Sequence, residues 1–321
     1  MARDRERLLG TLAAVSAASL FGMLGPLARF GADAGVGGAA FTAWRAFLGV
    51  AFLAVLILVR GRGAGSAEAV RTLSRRGRVA LLTAAAMGIT LNVSIFTAFG
   101  LVPIGLALML FYTYPAGVAV VDVALGRERA TTPRVAALAL SFTGVVLVLL
   151  GGMDAGAAAS ISLLGVALAL AASASQVVFV TVSRHGYSSV PADAATLVIL
   201  SASVVGASTI ALIAGQGPQL VAPFGSLAPW PALLLAGVAA AGVSSLLFLT
   251  AIRAIGGTRT GILMLFEPVV GVALAALLLG EPLRPVQLLG GGLVLAGALV
   301  LQLRSEPDLS PITESGAGPV V

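Results

Sequence analysis

The sequence predicts an all-α integral membrane protein of ten transmembrane helices, built as two inverted-topology repeats of five. Three observations carry that prediction: the composition, the spacing of apolar runs, and a self-similarity at a fixed offset. Hydrophobic residues make up 59% of the 321 and charged residues 10%, with a mean hydropathy of +1.06. That balance belongs to a chain solvated mostly by lipid. All 19 basic residues are arginine, gathered in short clusters between apolar runs. Such clusters mark cytoplasmic loops of a membrane protein and give no reason to expect a nucleic-acid partner. With no cysteine, the chain has no disulfide, no thiolate nucleophile and no cysteine metal site. No cofactor or metal is expected.

A helix needs about 20 apolar residues to cross the hydrocarbon core. Runs of that size fall near 8–29, 39–59, 79–100, 104–125, 134–151, 161–182, 192–214, 230–252, 260–280 and 286–303. The first follows the basic head MARDRER and reads as a retained span, since hydrophobic segments continue throughout. Pro103 divides the third span from the fourth. A cytoplasmic amino terminus then places most arginines inside, including Arg3, Arg5, Arg7, the run from Arg60 to Arg78, Arg127, Arg129, Arg134, Arg184, Arg253, Arg259 and Arg304. Only Arg29 and Arg284 fall outside, and Arg45 lies within a span. Both termini are expected in the cytoplasm of a cell bounded by this plasma membrane. The polar tail 305–321 reads as disordered.

Sliding the chain by 153 residues sets Pro115 on Pro268, Glu128 on Glu281 and Gly144 on Gly297, with Thr97-Ala98 on Thr250-Ala251. The stretch TYPAGVAVVDVALGRE thus pairs with FEPVVGVALAALLLGE, dividing the chain into halves of 1–153 and 154–304. Five spans per half is an odd number, so the halves enter the membrane from opposite sides. Inverted repeats of this kind build alternating access around a midplane site, which points to transport of a small-molecule substrate.

The Pro-x12-Glu pattern closing spans four and nine, Trp44-Arg45 early in span two, Asn92 followed by FTAFGLVPIGLALMLFYTYP, and LFEPVVGVALAALLLGEPLRPVQLLGGGLVLAG resemble the EamA family of the drug/metabolite transporter superfamily. A glutamate before the span-nine proline is similar to the threonine/homoserine exporter branch. The resemblance implies a ten-helix permease of small metabolites, often amino acids, usually exporting and driven by the proton gradient. It also makes Glu128 and Glu281 signature residues; physically both sit at helix ends, where a carboxylate is cheap, and turn-stabilising or gating contacts are expected of them.

Glu267 is the most informative position. A carboxylate in hydrocarbon costs a few kcal/mol on insertion scales, so such groups face a bundle interior or cavity and have partners. Pro268 frees the carbonyl of Met264 beside it. The site suits a coupling proton or a substrate ammonium; the plainer reading is a neutral, hydrogen-bonded packing residue. Tyr114 is its repeat counterpart, and Tyr112 and Tyr114 flank a second kink at Pro115. Their hydroxyls either line the same cavity or serve as packing. Tyr112, Pro115, Ala119 and Asp122 share one helical face by spacing, and Asp122 is expected to reach water or pair with Arg127. Arg45 beside Trp44 either holds a substrate carboxylate through its guanidinium fork or snorkels outward or pairs with an acidic group such as Asp33. Asn92, Gln176, Ser244 and Ser245 are polar groups in spans that either tie helices together or read a ligand; Asn92 and Ser245 are repeat counterparts, which favours the cavity for that pair. The clusters Gly290-Gly291-Gly292 with Gly297, and Ala136-Ala137 with Gly144, are close-packing faces suited to a homodimer. His185 reads as a solvated loop residue.

An intramembrane enzyme would need a nucleophile with its base, paired aspartates in separate spans or a metal cluster, and none is legible. A passive facilitator could share the repeat and differ only in lacking coupling.

Overall fold

The computed structural model describes residues 2–99, 101–102, 104–152, 162–280 and 282–303, all of them in helices and short connections. In chain order the helices are α1 Ala2–Gly22, α2 Leu24–Asp33, α3 Gly38–Val59, α4 Gly63–Arg71, α5 Arg75–Phe99, α6 Ile104–Phe111, α7 Tyr114–Ala124 and α8 Thr132–Gly152. The second half continues with α9 Leu163–His185, α10 Ala192–Ile213, α11 Gly217–Gly225, α12 Trp230–Gly237, a π-helical turn Val238–Val243, α13 Ser244–Ile255, α14 Gly257–Met264, α15 Glu267–Leu279 and α16 Pro285–Leu303. Pro103, the tail 305–321 and Glu281 lie outside the described residues.

Nine helical stretches among the described residues are long and apolar enough to cross a bilayer, and Pro285–Leu301 is a shorter apolar helix. The 19 residues of α16 rise about 28 Å at 1.5 Å each. That is close to the ~30 Å hydrocarbon thickness.

The 153-residue offset reappears in the backbone. It carries α6 onto α14 residue for residue, Ile104–Phe111 onto Gly257–Met264, and sets the start of α7 at Tyr114 on that of α15 at Glu267. Both breaks precede a proline, whose missing N–H cannot close the turn behind it. The bends Tyr112-Thr113 and Leu265-Phe266 are held by three-residue turns, Thr113 N–H to Leu110 and Phe266 N–H to Leu263. Packing follows the same relation: α5 lies on α9 as α13 lies on α1, while α3 pairs with α10 and α8 with α16.

Close approach of α8 and α16 rests on glycine. A Cβ at Gly290 would stand 2.5 Å from the carbonyl oxygen of Gly144 and 2.8 Å from the amide nitrogen of Val148, and one at Gly297 would stand 2.7 Å from the carbonyl oxygen of Ala137. Gly290 and Gly297 on one helix and Ala137 and Gly144 on the other are therefore close-packing positions within the chain, while a Cβ at Gly292 would meet nothing within 4 Å.

The helix starts of α3 and α10 are fastened differently. Gln216 and Gln219, from the start of α11, accept the backbone N–H groups of Ala40 and Gly37. At α10 the carboxylate of Asp193 accepts from Ala194 N–H at 2.9 Å, with Arg60 and Arg62 each 3.9 Å away.

Candidate functional site

The two helix breaks bring chemistry together from opposite halves. Glu267 opens α15 and is half-buried. Tyr112, which sits in the α6–α7 bend and is 3% exposed, lies within electrostatic reach of the Glu267 carboxylate. Tyr114, the repeat counterpart, is buried and within electrostatic reach of the same carboxylate. Phe111 packs on both tyrosines, with ring centroids 5.2 Å and 5.3 Å away. Tyr112 thus leaves the helical face that its spacing shares with Pro115, Ala119 and Asp122, because the helix is interrupted between Phe111 and Tyr114.

Arg45 approaches from α3 and is also half-buried. Its guanidinium donates to Oδ1 of Asn92 at 3.3 Å, and the Asn92 amide donates in turn to the Gly88 carbonyl at 2.7 Å. That fixes the Asn92 amide with its oxygen toward the arginine. The expected pairing with Asp33 is not made: Asp33 is exposed at the end of α2 and the arginine turns to the amide instead. Arg45 and Glu267 feel one another electrostatically but form no contact ion pair among the described residues. Two opposite charges within electrostatic reach but not in contact are complementary to a molecule that carries both signs.

The remaining candidates divide. Trp44 is 9% exposed and donates its indole N–H to the Leu220 carbonyl at 3.0 Å. Its ring packs with Phe47, Phe224 and Trp230, so it binds α11 and α12 onto α3 next to Arg45. Ser245 and Gln176 are half-buried on α13 and α9, and neither is brought into a side-chain hydrogen bond with Glu267 or Arg45. Ser244 is fully buried beside the π-helical turn, with its hydroxyl unpaired. Pro115 and Pro268 are both buried at the breaks, and Gly261 of α14 meets Pro115 so closely that a Cβ there would lie 3.2 Å from the proline ring.

Asp122 makes the expected pair with Arg127 at 3.8 Å, but both it and Glu128 are more deeply buried than a helix-end position suggests. Instead of resting in an interfacial zone or reaching water, the side chains of Glu128 and Asp122 are 6% and 2% exposed. Arg184 of α9 donates to Glu128 at 3.1 Å and stands 3.9 Å from Asp122. Arg134 of α8 lies 3.5 Å from Glu128 and Arg127 lies 3.8 Å from Asp122, which also accepts from the Thr258 hydroxyl of α14 at 3.2 Å. Burial made this necessary, since an unpaired carboxylate out of water is costly. Arg184 and Thr258 were not singled out from the sequence: one counts as an ordinary inside arginine and the other as a span residue, and only the meeting of α7, α9 and α14 gives them a role.

A family model described as the EamA-like transporter family matches residues 8–150 and 163–303. No curated protein matches the chain. A solved structure, titled only as the crystal structure of a protein, is 20% identical with a TM-score of 0.73, over 92% of this chain and 97% of its own; at that identity the likeness speaks to fold. The two matched segments coincide with the two halves related by the 153-residue offset.

Proposed function

Since the chain belongs to the EamA-like transporter family, we propose that it is a ten-span secondary transporter of inverted-repeat topology that moves small zwitterionic metabolites, amino acids or their relatives, out of the cell. It resides in the plasma membrane with both termini in the cytoplasm, and its motif is nearest to the threonine/homoserine exporter-like members. The reading is carried by one observation: Glu267 and Arg45 present opposite charges to a common space without touching. A zwitterion's ammonium is complementary to the carboxylate and its carboxylate to the guanidinium fork. Tyr112 lies within electrostatic reach of the carboxylate and Asn92 orients the guanidinium. In alternating access the halves exchange packings around this midplane point, and Glu267, able to carry a proton or an ammonium but not both, couples cargo to proton movement. Tyr114, Gln176, Ser245 and Trp44 complete the walls.

Purified protein in proteoliposomes tests the proposal. Saturable flux of labelled amino acids that rises with an imposed proton gradient is the expected result. Flux indifferent to the gradient would identify an uncoupled facilitator, and the absence of flux for zwitterions alongside flux of apolar cations would identify a drug-efflux permease. Thermal-shift screening gives an independent reading, since a ligand stabilises what it binds by mass action. Arg45→Ala is expected to weaken zwitterion binding at least about tenfold, from loss of a charge-assisted pair; retained affinity in the same thermal-shift titration would remove Arg45 from the site.

A further inference from the structure

The repeat symmetry is broken at one place, and the break has a chemical cause. At one end of the bundle α7 packs against α14: a Cβ at Gly257 would meet Val118 at 3.0 Å and Val180 at 2.8 Å. The symmetry-related pair is α6 with α15, at the opposite end, and among the described residues it makes no extended contact. Likewise α13 packs on α9 while its counterpart pair, α5 with α1, does not. Between these helix halves the bundle is therefore closed on the side of Asp122 and Glu128, whereas on the other side of Glu267 α15 packs on α8 and α2 and not on α6, among the described residues.

On the closed side sits the buried ion cluster, which ties α7, the turn after it, α8, α9 and α14 together through Asp122, Glu128, Arg134, Arg184 and Thr258. Gly256, at φ +86°, brings the chain into α14 directly against this cluster; a Cβ there would stand 2.9 Å from both Arg184 and Glu128. Only glycine adopts that backbone at no cost and leaves that space. The offset replaces Asp122 by Ala275, Arg127 by Gly280 and Arg134 by Gln287 while keeping Glu128 as Glu281, so the cluster's full set of charges is not repeated in sequence at the opposite end.

We propose that Asp122, Glu128 and Arg184 are the cytoplasmic gate of the transport cycle, an ionic lock that sets the resting protein closed to the cytoplasm. This deepens the transporter reading above and uses its orientation. Opening toward the cytoplasm requires α7 and the turn after it to part from α9 and α14, which separates Asp122 and Glu128 from Arg184 and Asp122 from Thr258. Unpairing these buried charges is costly, and cargo or proton binding at Glu267 must supply the difference.

The chain contains no cysteine, so a single Val118→Cys gives a probe without background. Val118 is fully buried between the lock and Pro115. In inside-out vesicles, labelling of this thiol by a membrane-impermeant maleimide is expected to be slow, and to rise roughly tenfold with Arg184→Gln or Glu128→Gln as the closed state loses its ionic advantage. Arg184→Lys, which keeps the charge, should restore most of the protection. Thr258→Val removes a hydrogen bond without stranding a charge and should raise labelling by about threefold; it is the variant to read if the charge variants do not fold. Unchanged labelling in folded Arg184→Gln or Thr258→Val protein, with only a lower melting temperature, would make the cluster a structural staple and overturn the proposal. Because the thiol is read without cargo, it stands apart from the binding site: normal transport by Glu267→Gln would end the coupling reading and leave this result intact.

Discussion

Glu267→Gln protein is expected to reach the membrane folded, to transport at least about tenfold more slowly, and to lose its response to an imposed proton gradient. Size and hydrogen-bonding capacity are nearly preserved, since the amide oxygen accepts as a carboxylate oxygen does. Only the ionisable proton and the negative charge are removed. Anything the position does as packing should survive, and anything it does as a proton or ammonium site should not. Flux in proteoliposomes, measured with the inside acidified, alkalinised and at equilibrium, separates the two. Should the gradient still drive the Gln variant as it drives the parent, coupling lies elsewhere. Melting temperature supplies the control: little change is expected, because the site's opposing charges are not in contact and no buried ion pair is broken.

Gly290→Val is expected to destabilise the bundle strongly. The added carbon would lie 2.5 Å from the Gly144 carbonyl oxygen and 2.8 Å from the Val148 amide nitrogen, both backbone atoms, so no side chain can swing aside. Overpacking of this kind costs a few kcal/mol, which lowers the melting temperature by roughly 5–10 °C in a chain of this size. Gly292→Val is the matched control, for nothing lies within 4 Å of its added carbon, and its melting temperature should hold within about 2 °C. Equal losses at 290 and 292 would show that helix propensity, not the α8–α16 approach, sets the effect.

Most of the fold was legible because membrane solvation leaves few choices: apolar length fixes the spans and backbone satisfaction makes them helical. The breaks at Pro115 and Pro268 were legible for the same kind of reason, since each proline deletes a donor. The interruption at Val238–Val243 was not, because an extra residue in a turn of VAAAGV leaves no mark in composition; it is set by the approach of Gly49 to the Gly237 carbonyl. Glu267 stood out as an unmatched charge in a repeated scaffold. Arg184 and Asp122 did not, because each lies near a helix end where charge is ordinarily cheap. Their significance depends on which helix ends converge, and a single sequence carries no distance between α7 and α9.

The two ways of fastening helix starts bear on where this protein lives. On the proposed orientation, α3, the helix that carries Arg45, begins at the outer surface under the amides of Gln216 and Gln219, whereas α10 begins at the cytoplasm under Asp193 and two arginines. Neutral amides are indifferent to ionic strength, while a carboxylate with two arginines near it answers to salt. The start of α3, turned to an uncontrolled medium, is thus secured by neutral groups, and the salt-sensitive fastening is kept on the side where the cell itself holds salt constant.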